Sequence, residues 1–189
     1  MSNILYIGWF GLPETAAGIR VFQIAKLLRE SGNNVAFLCL SQPGLKENQE
    51  IQYDGFKYIR KRQFESRVKN VVNIFCGVYD LKVIKEIIEI EKPDTVIVYN
   101  DKERLTSQIV SFCHKRGISV GADVTEWYEI SRSRKWDRIV AKNVDYRIRK
   151  MDKKPDYILS ISPYFTAYYK SIGCKNVIEI PPIMDCIET

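Results

Sequence analysis

Short apolar runs alternate with amphipathic stretches along the whole chain. Ile4–Trp9, Val35–Leu40, Thr95–Tyr99, Ile118–Val124, Tyr157–Ile161 and Asn176–Ile180 are strand-length and largely apolar, the pattern of strands buried on both faces of a sheet. Between the first two, Val21, Ile24, Ala25 and Leu28 recur at i, i+3, i+4 and i+7. That spacing predicts a helix, which Ser31-Gly32 stops. Leu81, Ile84, Ile87 and Ile88 form a second helical face ending at Lys92-Pro93-Asp94, and Leu105, Ile109, Phe112 and Cys113 a third, closed by Gly117. A short helix opens at Pro163. Asp54-Gly55, at the centre of Ile51–Arg60, predicts a hairpin. Unbroken apolar strands joined through helices predict one α/β domain over residues 1–182, built as a doubly wound, mainly parallel sheet.

Sheets of this kind hold ligands beyond the carboxyl ends of their strands. The candidate segments are therefore Gly11–Arg20, Asn100-Asp101, Asp123–Glu129, Ser160–Tyr164 and Pro181-Pro182. The Gly11–Gly18 loop is rich in turn formers and opens a helix, an arrangement that brings backbone N–H groups to an anion. It matches neither GxGxxG nor GxxxxGK[ST]. Arg20, in the first helical turn, is open to two readings, an anion ligand or a surface cation. Asp123-Val124-Thr125-Glu126-Trp127-Tyr128-Glu129 gathers three carboxylates and two large aromatics after a buried strand. Either the acids orient sugar hydroxyls while Trp127 or Tyr128 stacks on a ring, or Thr125 caps a helix whose aromatics enter the core. His114, beside Lys115-Arg116-Gly117 at a helix end, reads as structural.

Composition narrows the classes. The chain has 189 residues, enough for one core and too few for two ordinary domains. No apolar run approaches the ~18 residues of a membrane span, and no secretory signal is readable, so the expected compartment is the cytoplasm. Five cysteines, Cys39, Cys76, Cys113, Cys174 and Cys186, are too dispersed for a disulfide framework or a CxxC site. With a single histidine, no metal site is expected. Charge is unevenly placed. Ser131–Pro155 holds ten basic residues and three acids, an excess above the whole chain's +6. Trp136, Ile139, Val140, Val144, Ile148 and Met151 recur within it at helical spacing, predicting an amphipathic helix with a basic outer face. Lys57, Arg60, Lys61, Arg62, Arg67 and Lys69 form a second basic run. The helix's cations, Arg132, Arg134, Lys135, Arg138, Lys142 and Arg149 among them, are either a solvated face or an anionic-membrane or pyrophosphate surface. Nucleic acid is not the expected partner, because no helix-turn-helix, zinc-finger or RNP-type pattern accompanies the charge.

Several segments together resemble retaining GT-B glycosyltransferases of family 4. Asn3–Gly8 with its Pro- and Gly-containing loop, Ala17-Gly18-Ile19-Arg20, and the helix end Glu30-Ser31-Gly32-Asn33-Asn34-Val35 are similar to that family's opening. Lys92–Ile97 resembles the approach to its fourth main strand, Asp123–Tyr128 an acidic variant of polysaccharide-building members, and Asp156–Tyr164 with Gly173–Asp185 the end of its N-terminal domain. The resemblance implies a Rossmann-like, acceptor-binding domain, with residues 183–189 opening a linker to a C-terminal domain that carries most contacts to a nucleotide-sugar donor. Supplied in cis or in trans, that second domain would be needed for efficient transfer. No metal or cofactor is implied. The implied acceptor is a polysaccharide or lipid-linked glycan, as in bacterial capsule or exopolysaccharide synthesis at the inner face of the cell membrane. Asp123 and Glu126 are the expected catalytic or polar positioning residues, and Gly11, Ala17, Gly18, Arg20, Asn100, Tyr128, Ser162 and Tyr164 the expected substrate-binding ones. The sequence departs from the family in two places. It has no His after the strand ending at Asp123, and Ala16-Ala17-Gly18 replaces a common Gly pair. Two other readings stand beside this one, a non-catalytic membrane-docking subunit of a split glycosyltransferase and a regulatory α/β domain unrelated to sugar transfer.

Overall fold

The computed structural model describes residues 1–12, 15–42, 45, 47–62, 73, 77–100, 103–127 and 137–183. Among them, strands β1 (Asn3–Gly8), β2 (Asn34–Gln42), β3 (Gln49–Tyr53), β4 (Phe56–Arg62), β5 (Thr95–Tyr99), β6 (Ser119–Val124), β7 (Tyr157–Ser160) and β8 (Val177–Glu179) form one sheet. Its order is β3-β4-β2-β1-β5-β6-β7-β8. Neighbours are parallel except in the β3–β4 hairpin. The helices are α1 (Ala16–Glu30), α2 (Val78–Glu91), α3 (Glu103–His114), α4 (Asp137–Tyr146) and α5 (Pro163–Ser171), and α4 runs on into a π-helical turn, Arg147–Met151. This is the doubly wound, Rossmann-like α/β sheet expected from the apolar pattern. The chain builds outward from β1 to β2 and β4, then returns to the other side of β1 with β5. The switch point therefore lies between β1 and β5.

Side-chain alternation assigns the two faces. Ile4, Tyr6, Val35, Phe37, Cys39, Ile97 and Tyr99 pack with Val21, Ile24 and Ala25 of α1. Their strand neighbours Leu5, Ile7, Leu38, Leu40, Val96, Val98 and Val120 pack with Ile84 and Ile88 of α2 and Leu105, Ile109 and Cys113 of α3. The central strands β1, β2, β5 and β6 are thus buried at consecutive positions because both faces are covered. A third cluster joins Ala122, Val124 and Ile158 to Ile148, Phe165 and Tyr169.

Local chemistry sets the boundaries. Thr15 caps α1 by accepting the Gly18 N–H at 2.9 Å. The helix ends where Gly32 turns to φ +84° and the Asn33 N–H closes back on the Leu28 carbonyl at 3.1 Å. Asp54 and Gly55 have φ of 49° and 76°, both positive as a tight two-residue hairpin turn needs. Gly121 is required for a different reason: a Cβ there would lie 2.2 Å from the Tyr157 ring that crosses β6. Among the described residues no helix is long and apolar enough to cross a membrane, and no group of three His, Cys, Asp or Glu could hold a metal ion.

Candidate functional site at the carboxyl edge of the sheet

The carboxyl ends of β1, β5 and β6 lie side by side at the switch point. β1 leaves the sheet at Gly8, where a Cβ would meet the Tyr99 Cβ at 2.8 Å. The following loop is closed by Thr15, whose hydroxyl lies 3.3 Å from the Gly11 N–H and 3.2 Å from the Gly11 carbonyl. Gly18 in α1 packs directly on that loop, since a Cβ there would be 2.0 Å from the Gly11 oxygen. Gly11 and Ala17 are half-buried and Gly18 is buried. With Thr15 serving Gly18, the N–H groups of Ala16 and Ala17 have no acceptor inside the helix, and they stand at its positive end.

Asp123 and Arg20 meet, but away from solvent. Asp123 is fully buried and Arg20 is 7% exposed. Arg20 donates to Asp123 Oδ1 through Nη2 at 2.9 Å and Nε at 3.1 Å, Tyr6 donates its hydroxyl to Oδ2 at 2.5 Å, and Arg20 Nη1 donates to the Ile180 carbonyl at 2.7 Å. Burial pushes the Asp123 carboxyl above its ordinary pKa, while the Arg20 cation and the Tyr6 hydroxyl pull it back. The same burial, with the neighbouring carboxylate, holds the Tyr6 hydroxyl well above its usual range. Arg20 is therefore not a surface cation, and the Asp123 carboxylate is turned away from solvent. Each is consumed by the other in a clamp joining α1, β1, β6 and the exit from β8.

The polar groups that do reach the edge are Asn100 and Glu126. Asn100 follows β5 with φ +41°, a conformation that Asn tolerates better than most residues. Its N–H is bound by the Asp123 carbonyl at 2.9 Å. Its side chain receives Arg147 Nη2 on Oδ1 at 2.7 Å and donates to Glu126 Oε2 at 3.4 Å. Glu126 is exposed and Asn100 half-buried. Thr125–Trp127 is not helical, and the Thr125 hydroxyl lies 3.2 Å from that of Tyr99, so the capping role read for Thr125 does not hold there.

Arg147, one of the ten basic residues of Ser131–Pro155, is buried to 2% exposure. Its Nε faces Asp152 Oδ2 at 3.6 Å, and the Tyr169 hydroxyl donates to the same oxygen at 2.7 Å. Burial raises Asp152, against the opposing pull of Arg147 and Tyr169. A signal for this existed: Val140, Val144 and Arg147 share the i, i+4, i+7 spacing of the apolar stripe. Tyr6, Tyr99 and Tyr169 carried no such signal, since each also reads as a core aromatic.

Trp127 does not present a free ring to a sugar. It stacks on Phe165 at 6.1 Å, meets Tyr168 at 4.8 Å, carries the Arg149 guanidinium 5.1 Å from its ring centre, and donates Nε1 to Asp145 at 3.0 Å. Ser162 caps α5 by accepting the Phe165 N–H. Tyr164 lies beside Trp127, with ring centres 6.2 Å apart, and is 67% exposed. Arg138, Lys142 and Arg149 are exposed on α4 and its π turn. Tyr128, Arg132, Arg134, Lys135, Cys76, Cys186, Asp101, Arg67 and Lys69 lie outside the described residues, as does most of the 183–189 segment.

No known family model matches the sequence, and no curated protein is matched by it. Solved structures are matched by shape. Sucrose-phosphate synthase from Thermosynechococcus elongatus superposes with a TM-score of 0.62 at 13% identity, over 96% of this chain and 48% of its own. Trehalose-6-phosphate synthase from E. coli, bound with UDP-2-fluoro glucose, gives 0.55 at 8% identity, over 97% and 49%. UDP-N-acetylglucosamine 2-epimerase from Rickettsia bellii gives 0.53 at 13%, over 96% and 45%. The chain thus has the Rossmann-like fold found in GT-B enzymes, and it spans slightly under half the length of these relatives.

Proposed function

We propose that this chain is the acceptor-side half of a retaining, nucleotide-sugar-dependent GT-B glycosyltransferase of family 4 type, which moves a sugar to a polysaccharide or lipid-linked glycan. The observation that carries the reading is the switch-point edge. There the open N-terminus of α1, packed on the Gly11 loop through Gly18, stands at the same sheet edge as the Asn100–Glu126 pair. A helix N-terminus favours a diphosphate, and an exposed carboxylate beside an amide suits hydroxyl groups. The fold adds support, since the glycosyltransferases among its structural relatives use this architecture, although fold alone does not set a reaction.

In this reading Glu126 accepts hydrogen bonds from sugar hydroxyls and Asn100 orients Glu126. Asp123 and Arg20 act as positioning residues behind them, and Gly11, Ala17 and Gly18 line the donor phosphates. Ser162 and Tyr164 border the acceptor side. A second domain closes over the edge and excludes water from the anomeric carbon. The donor is the co-substrate, with no metal or cofactor.

The test is release of nucleoside diphosphate by the gene product that carries this chain, with UDP-, GDP- and ADP-sugars and glycan acceptors. Asn100→Ala and Glu126→Gln are expected to lower transfer at least about tenfold, the loss of one or two charge-assisted hydrogen bonds; the exposed Glu126→Gln should leave the melting temperature unchanged, whereas Asn100→Ala also removes an acceptor from the buried Arg147 and should lower it. Release from no donor, or unchanged rates in both variants, sinks the reading.

A further inference from the structure

An arginine side chain only donates hydrogen bonds, and an ionised carboxylate only accepts them. Asn100 stands between one of each, with Arg147 Nη2 2.7 Å from its Oδ1 and Glu126 Oε2 3.4 Å from its Nδ2. A carboxamide turned over would set its NH2 group against the guanidinium and its oxygen against the carboxylate. The backbone is held as well, since the Asn100 N–H binds the Asp123 carbonyl at 2.9 Å. The polarity of the amide at the sheet edge is therefore set from the interior. Arg147 in turn is placed by the π turn, in which the Asp152 N–H reaches back five residues to the Arg147 carbonyl at 3.0 Å. In a regular α-helix residues five apart point about 140° away from each other. The wider turn brings Asp152 round to Arg147, with Oδ2 3.6 Å from Nε, and the Tyr169 hydroxyl of α5 donates to that same oxygen at 2.7 Å. Arg147, Asp152 and Tyr169 are all buried.

We infer that Arg147 is a positioning residue of the strand-end site. Backed by Asp152 and Tyr169, it holds the Asn100 amide with its NH2 group toward Glu126, and so aims the Glu126 carboxylate at the substrate. The inference rests on the reading of Glu126 as the carboxylate that receives sugar hydroxyls. Burial of an ion pair such as Arg147–Asp152 is weak as a source of stability, because apolar packing of the same volume does as well or better. Its value here is orientation: a chain of fixed polarity runs from Tyr169 through Asp152, Arg147 and Asn100 to the one exposed carboxylate at the end of β6. The π turn belongs to the same device, since a turn of this kind is rare and occurs most often beside functional groups.

The test is a mutant cycle read by NMR in the 189-residue chain and by kinetics in the gene product that carries it. With Arg147 in place, Glu126→Gln is expected to move the side-chain amide signal of Asn100, which Asn100→Ala identifies by its loss. Arg147→Lys keeps a charge opposite Asp152, so the chain should fold, but it loses the planar fork, and the Asn100 signal is then expected not to respond to Glu126→Gln. Arg147→Met with Asp152→Asn removes both charges of the pair and should abolish the response too. In transfer, Arg147→Lys is expected to lower kcat at least about tenfold with donor KM little changed, and to lower it no further where Asn100 is already alanine. A response that survives in both Arg147 variants, or kcat losses that add in the Asn100→Ala background, overturns the inference. A gene product that transfers no sugar would sink the glycosyltransferase reading, and the NMR cycle would still decide whether Arg147 orients Asn100.

Discussion

Two carboxylates show how the same side chain takes opposite roles according to its surroundings. Asp123 is dry and balanced by Arg20, so removing its charge strands a buried guanidinium. Asp123→Asn is expected to cost about 3–5 kcal/mol, the usual penalty for breaking a buried pair from one side, and urea unfolding would measure it. In a double-mutant cycle with Arg20→Met the second change should cost much less than the first. Asp156, partly exposed, sits at the opposite end of the sheet. Desolvation works against its charged form, but the Val120 N–H at 2.7 Å, His114 at 3.1 Å and the Ser119 hydroxyl outweigh it and hold the carboxyl below its ordinary 3.8. A depressed carboxyl favours folding above its unfolded pKa, and the benefit is lost as pH falls through the lowered folded value. Wild-type stability should therefore drop more steeply below about pH 4 than that of Asp156→Asn, as followed by circular dichroism during acid titration.

At the scale of elements, close approach governs more than propensity does. β6 and β7 pair with Gly121 opposite Tyr157, whose ring occupies the space of a side chain at 121. Gly121→Ala is expected to destabilise by about 1–3 kcal/mol through overpacking. Most of that loss should disappear in a Tyr157→Leu background, which thermal melts of the four variants would show. The Gly11–Gly18 contact follows the same logic: Thr15 caps α1 while Gly18 lets the helix sit on the loop. α4 and its π turn illustrate the reverse, since within a strongly basic segment Arg147 points inward to Asn100 and Asp152.

For the molecule as a whole, Arg20 makes the longest-range side-chain tie among the described residues. It reaches from the first helix to the Asp123 carboxylate and to the carbonyl of Ile180, where the chain leaves the last strand. Lysine keeps the charge there and loses the planar fork. Arg20→Lys is expected to speed amide hydrogen exchange at Ile180, whose N–H binds the Ser160 carbonyl at 2.8 Å, by at least about tenfold. Exchange in β1 and β5 should change far less, and equal change everywhere would show that the tie is not local to β8. Such a tie matters for the proposed function, because a second domain would connect through the segment that Arg20 holds.

The strands, the helices and the hairpin turn were legible in the sequence, because each follows from contacts within a few residues. Val21, Ile24, Ala25 and Leu28 select their own helix face, and Asp54-Gly55 selects its own turn. The strand ends marked the edge where Asn100 and Glu126 come together, since a parallel sheet places successive strand ends side by side. What the residues around that edge do was decided only by tertiary structure. Arg20 and Asp123 are 103 positions apart, and Arg147 and Asn100 are 47 apart. Whether a charge is a ligand, a surface group or half of a buried pair depends on which partner the sheet register delivers to it. That choice is set by burial and distance, which local periodicity does not encode.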